Sequence, residues 1–248
     1  MRNRPTTPFA RRARRALLIA ILLGLAAPAA ASALDVFAAS SLRDVFTQID
    51  AGATYNFAAS NTLQLQIDRG ADADVFASAS PNEPQALFKE NKCGRPVTFA
   101  TNKLVLLVPK GNPGNVRSVF ALRAGGHNLA VGAKGVPIGD YTRSLLRRLG
   151  LSRILDSNTV SQESSVANVV SKVALGSADA GFAYVTDGRI ASDKVQAIRL
   201  PRYAQPPVRY QMCAVKPGAA ASAFMNRVRS DRGRALLRAA GFGLPPKG

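Results

Sequence analysis

Tryptophan is absent from this chain of 248 residues, histidine occurs once and cysteine twice. Each scarcity excludes a class of chemistry. One histidine, His127, and two cysteines, Cys93 and Cys213, cannot complete the four N/S ligands of a structural zinc site. A serine hydrolase would need His127 as its base. That residue lies in "RAGGHNLAV", a glycine-rich turn ahead of a strand, and no G-x-S-x-G elbow accompanies it. A Walker-type phosphate loop and a dinucleotide glycine fingerprint are missing as well. The cysteines permit one disulfide in an oxidising compartment or two buried thiols, and spacing alone does not choose between them.

Acidic residues are also few, 15 against 33 basic, for a formal charge of +18. Part of that excess sits at the N-terminus. "MRNRPTTPFARRARR" is a basic stretch, "ALLIAILLGLAAPAAA" a short apolar core, and "ASA" at 31–33 a small-residue cleavage site. This is the pattern of a cleaved signal peptide over 1–33. The apolar run is shorter than the roughly 20 residues that span a bilayer. Without the six leader arginines, 27 basic and 15 acidic residues remain, a formal +12. Arg143, Arg147 and Arg148 fall in one helical stretch, and Arg227, Arg229, Arg232, Arg234 and Arg238 in another, alternating with apolar residues as solvated helix faces do. No aromatics interleave with them, so nothing builds a base-stacking platform and no nucleic-acid partner is expected.

What is present is alternation. Strands are expected at 34–39, 53–58 and 74–77, each followed by a helical pattern, the third starting at Pro81. "PVTFATNKLVLLVPKGNPGN" reads as one long apolar strand with a Pro/Gly-rich exit. A second strand–helix series runs through "NLAVGAKGVPIGDYTRSLLRRLGL", "NTVSQESSVANVVSKVALGSAD", "AGFAYVTDGRI" and "VQAIRLP". "PPVRYQMCAVKPG" is a returning strand, and "ASAFMNRVRSDRGRALLRAAGF" a closing helix that Gly241 ends. The class is α/β with mostly parallel sheets. Two lobes are expected, 34–109 with 208–248 and 110–207, hinged by two crossover strands around a cleft.

In open α/β sheets ligands collect where strands end and helices begin. Helix starts expose unpaired N–H groups at the positive end of a dipole, and serine hydroxyls add further donors. The first lobe offers Ser40, Ser41, Ser60, Asn61 and Thr62. The second offers the backbone at Pro137, Ile138 and Gly139, that at Ser164, Ser165 and Val166, and the Tyr184 hydroxyl. Any one such serine alone reads as an N-cap. Repetition is what points to an anion held without lysine or arginine. Asp72, Asp74 and Asp140 read as turn and first-turn residues.

Five stretches, "VFAASSL", "FAASNTLQLQIDRGADADVFASAS", "FATNKLVLLVPKGNP", "GVPIGDYTRSLLRRLGL" and "VALGSADAGFAYVTD", resemble in order and spacing the periplasmic molybdate-binding proteins, the solute receptors of ABC-type molybdate importers. The resemblance covers nearly all of the chain beyond the leader. It implies a two-lobed periplasmic-binding-protein fold of type II, no catalysis and no cofactor. The implied ligand is molybdate or a related oxyanion such as tungstate or sulfate, and the implied partner a membrane permease served by a monomeric, extracytoplasmic receptor. Carried over by motif, Ser41 and Ser60 give hydroxyl and backbone donors, Ile138 and Val166 give N–H groups, and Tyr184 gives its hydroxyl. None touches the metal atom directly. Asp140 and Glu163 lie near enough to these motifs to be tested as the carboxylate ligands of tungstate-type relatives.

Overall fold

A computed structural model describes residues 33–246. The chain begins with three strand–helix units. β1 (Asp35–Ala39) passes through a 3-10 turn at 40–42 into α1 (Arg43–Ile49). β2 (Thr54–Ala58) feeds α2 (Ser60–Asp68), and β3 (Val75–Ser78) feeds α3 (Asn82–Lys89). β4 (Val97–Asn102) and β5 (Leu104–Pro109) follow, then β6 (Asn128–Gly132) and α4 (Pro137–Arg148). The short α5 (Ile154–Ser157) precedes β7 (Thr159–Glu163), α6 (Val166–Ala174), β8 (Ala180–Tyr184), α7 (Val185–Ile190) and β9 (Val195–Arg199). β10 (Val208–Ala214), α8 (Ala219–Arg229) and α9 (Asp231–Ala239) complete it.

Two five-stranded sheets result, ordered β2-β1-β3-β10-β4 and β7-β6-β8-β5-β9. Each has a parallel trio and a strand that joins antiparallel. β10 pairs with β3 and β4, and β5 pairs with β8 and β9. The single long strand expected through 97–109 is therefore two strands in two sheets, broken at Lys103. Leu104–Pro109, expected in the first lobe, belongs to the second sheet. The physical reason is burial. β5 is buried at every position and becomes an inner strand, a place that a continuous apolar run fits and an alternating one does not.

The single closing helix is also two. Ser230, in extended conformation, caps α9 by accepting from the Gly233 N–H, and Asp231 sits in the first turn. A Cβ at Gly233 would lie 2.2 Å from the Arg227 carbonyl oxygen, so glycine is what lets the two helices meet this closely. Gly241 ends α9 as expected, with φ of 99° and the Phe242 N–H returning to the Leu237 carbonyl.

One of the arginine readings changes. Arg143 is half-buried and donates to the carbonyls of Gly132 and Gly139 at 2.8 and 3.0 Å, so it clamps the start of α4 onto β6 instead of facing solvent. Arg227 pairs with Asp50.

The cysteines form a disulfide between the loop after α3 and β10, with Cα atoms 6.0 Å apart and 120 residues of separation. Closing so long a loop removes denatured-state entropy worth, at most, about 4–5 kcal/mol in the chain-entropy model. The Cys93→Ala/Cys213→Ala double variant is accordingly expected to lose several kcal/mol in chemical denaturation while remaining folded. An unchanged midpoint would contradict that stabilising role.

Candidate functional site

The five residues singled out by motif lie far apart in sequence and meet around one small cavity. Ser41 comes from the 3-10 turn after β1, Ser60 from the start of α2, Ile138 from the start of α4, Val166 from the start of α6, and Tyr184 from the end of β8. The centre of a water-sized sphere has about 10 Å³ to move in. That is the scale of one compact ion, whereas drug-sized ligands need several hundred Å³. Twelve residues wall it, drawn from both sheets, and none carries a charged side chain. Larger hollows exist, one of about 590 Å³ beside Phe120, Arg199 and Arg202, but none of the five residues lines them. The small cavity is the one walled by the buried, convergent donors.

Local sequence explains each wall. β1 and β2 run parallel and in register from Asp35/Thr54 to Ala39/Ala58, so the turn bearing Ser41 and the helix bearing Ser60 begin side by side. The alanines at 39, 58, 59 and 79 keep the cavity wall thin. On the opposite side Pro137 occupies the first helical position of α4, where its missing N–H costs nothing. Ile138 follows, and the amide N–H groups of a helix's first turn have no intrahelical partner. The approach of α4 to β6 depends on glycine. A Cβ at Gly139 would stand 2.1 Å from the Ala133 carbonyl oxygen and 2.3 Å from that of Gly132. Backbone thus packs on backbone, which sets the start of α4, with Ile138, against the cavity.

Three of the wall residues bring hydroxyls whose other contacts are informative. Ser60 Oγ accepts the Ala79 N–H at 3.0 Å, leaving its own proton to give. Ser41 Oγ is 2.9 Å from Tyr210 Oη. Tyr184 Oη is buried and, among the described residues, has no hydrogen-bond partner. Burial holds its phenol far above the ordinary range, so it stays protonated. An unsatisfied buried hydroxyl costs about 1–3 kcal/mol, which a fold retains only for a purpose.

The remaining sequence candidates separate cleanly. Ser40 and Pro137 also line the cavity, but Asn61, Thr62, Gly139, Ser164 and Ser165 do not. Ser165 accepts the Asn168 N–H as the cap of α6, and Ser164 accepts from the Asn168 side chain. Asp140 accepts the Gly135 N–H, and Glu163 pairs with Lys172 at 2.9 Å. Neither carboxylate lines the cavity. Asp74 takes the Asp35 N–H, Asp72 pairs with Lys216, and the His127 N–H is given to Asn158.

Sequence reasoning missed the buried polar groups just behind the wall. Asn102 donates from Nδ2 to Thr186 Oγ1 at 3.0 Å and, at a long 3.5 Å, to Tyr210 Oη. Asp187 accepts the Tyr184 N–H at 2.9 Å. Burial pushes its carboxyl up to about 7, with that N–H opposing the rise and Asp44 adding to it. Glu83, also buried, takes the hydroxyls of Ser78 and Ser80. Asn102 in "ATNKL" and Tyr210 in "VRYQM" each stand beside other polar residues, so no local pattern singled them out.

Two sheets, each completed by an antiparallel strand, hold between them a small cavity lined by hydroxyls and helix starts, an arrangement suited to enclosing a ligand. The chain belongs to the bacterial extracellular solute-binding proteins, whose family model matches residues 34–243. It is 37% identical over 228 residues to the molybdate-binding protein ModA of Mycobacterium tuberculosis, covering 87% of this chain and 86% of that one. Among solved structures, the periplasmic molybdate-binding protein of Azotobacter vinelandii superposes with a TM-score of 0.75 at 26% identity, covering 86% of this chain and 99% of that one. The substrate-binding domain of a putative molybdenum ABC transporter from Clostridium difficile gives 0.63 at 26% identity, over 86% and 98%. Its family's members act outside the cytoplasm, and the chain is no enzyme.

Proposed function

We propose that this protein captures molybdate as a desolvated dianion in the donor-walled cavity and delivers it to the membrane permease of an ABC importer. Ser41 and Ser60 contribute hydroxyl and backbone donors, Ile138 and Val166 their N–H groups, and Tyr184 its hydroxyl. The observation that carries this reading is the buried, partnerless Tyr184 Oη at a cavity with no charged side chain in its wall. The names of the relatives support the choice of oxyanion. The receptor works as a monomer, exported by a cleaved leader over 1–33. Its lobes, divided at Lys103 and just before Val208, close on the ligand by hinge motion, with ligand favouring the closed form through its higher affinity for it.

A wall made of donors selects for charge state. A fully ionised oxyanion accepts everywhere and has nothing to give. Hydrogen phosphate carries a proton that meets no acceptor, at a cost of about 1–3 kcal/mol. Sulfate matches in protonation but is smaller, so fit to the cavity separates it from molybdate and tungstate.

Calorimetric titration of the protein with molybdate, tungstate, sulfate and phosphate tests this. Saturable one-to-one binding of molybdate is expected, with weaker sulfate and little phosphate, and with modest dependence on ionic strength. Absence of molybdate binding, or affinity that collapses with salt as for a polyanion binder, would reject it.

A further inference from the structure

Tyr210 is fully buried in β10 and lies outside the cavity wall, yet its hydroxyl is the partner of a wall residue. It sits where the pairing of β10 with β4 slips register between Tyr210 and Gln211, a bulge of the kind that re-aims a side chain. Its ring packs edge-on against Phe99, Tyr184 and Phe242, with centroids 6.2, 5.9 and 5.3 Å away.

The direction of the hydrogen bonds around it follows from one backbone group. The Lys103 N–H can only donate, and it does so to Asn102 Oδ1 at 2.9 Å. The other end of that amide, facing Tyr210 Oη and Thr186 Oγ1, is therefore the NH2 group, which gives and cannot take. The Tyr210 proton has Ser41 Oγ as its acceptor, at 2.9 Å. Ser41 thereby receives a hydrogen bond from behind and turns its own proton towards the cavity. The chain of polarity runs from Lys103 through Asn102 and Tyr210 to Ser41. Ser60 obtains the same polarity from a backbone amide, that of Ala79.

We propose that Tyr210 is a positioning residue that sets specificity by fixing Ser41 as a donor, so that the cavity discriminates against protonated oxyanions. This rests on the oxyanion-receptor reading above. With the phenol, one of the two Ser41 lone pairs is filled and the hydroxyl is held in place. Without it, the hydroxyl is free to rotate and to turn both lone pairs to a proton of a ligand such as hydrogen phosphate. Molybdate then loses an oriented donor, and the protonated competitor gains an acceptor.

The test compares wild type, Tyr210→Phe, Ser41→Ala and the double variant by calorimetry. Molybdate and phosphate are used at a pH where phosphate is the singly protonated dianion. Phenylalanine keeps the three ring contacts, and a thermal melt checks the fold. In Tyr210→Phe the molybdate-to-phosphate affinity ratio is expected to fall roughly tenfold or more, the scale of one hydrogen bond gained and one disordered. In the Ser41→Ala background the same substitution should leave the ratio unchanged, because the hydroxyl it orients is gone. An unaltered ratio in Tyr210→Phe overturns the proposal, and so does an equal change in both backgrounds, which would mark a merely structural residue. Wild type that binds molybdate but tolerates Tyr210→Phe leaves the receptor reading standing. Wild type that binds no oxyanion removes both.

Discussion

Tyr184→Phe is expected to leave the protein folded and as stable as wild type or more so, while molybdate affinity falls about ten- to a hundredfold. The two effects have opposite signs for one reason. In the free protein the phenol is buried with no partner, so deleting its oxygen removes a desolvation cost of about 1–3 kcal/mol. In the complex that oxygen donates to a dianion, and hydrogen bonds to charged groups contribute about 1.5–3 kcal/mol. Most hydroxyl deletions in a core do the reverse and destabilise. Denaturation without ligand, paired with calorimetry, separates the outcomes. A clear loss of stability with unchanged affinity would make Tyr184 an ordinary core residue.

Gly139→Ala should damage both properties. The new methyl would meet two carbonyl oxygens at 2.1 and 2.3 Å, and both belong to backbone that cannot rotate aside. The start of α4 must then lift off β6, at a cost of about 1–3 kcal/mol or more. It takes with it the Ile138 N–H and draws apart the Gly132 and Gly139 carbonyls that Arg143 holds together. Affinity should fall by more than tenfold. Gly218 is the control, since a Cβ there meets nothing within 4 Å and its φ of −177° is ordinary extended backbone. Gly218→Ala should be silent in binding and cost at most about 1 kcal/mol of stability, since Gly218 is the N-cap of α8. Equal behaviour of the two variants would remove the close approach from the explanation.

These expectations lean on features of unequal visibility in the sequence. The strand–helix alternation and the starts of the helices were legible, because caps and first-turn prolines are local. "GVPIGD" announces α4 by itself, and "SSV" announces the cap of α6. The break at Lys103 was not legible. The polar "TNK" interrupts two strand-like stretches without a turn signal, and only tertiary pairing sends β4 and β5 into different sheets. The break at Ser230 could have been read, since a serine followed by aspartate and then a glycine is a helix start within a helical pattern. For the site, the helix starts gave a longer set of donors that the family resemblance narrowed to five, all of them in the cavity wall, and the residues alone could not tell a capping serine from a cavity serine. Ser165 and Ser60 look alike in sequence and differ only in what their oxygens accept. Tyr210 left the weakest trace. It stands in "VRYQMCA", 169 positions from Ser41, and no local pattern joins them.

The direct measurement is a crystal structure grown with molybdate, with the metal located by its anomalous scattering. The expected result is a single peak inside the small cavity. Its oxygens should lie within hydrogen-bonding distance of Ser41 Oγ, Ser60 Oγ, the N–H groups of Ile138 and Val166, and Tyr184 Oη. A peak held instead by arginine or lysine side chains, such as those at Arg199 and Arg202, would contradict the claim that neutral donors alone cage the dianion.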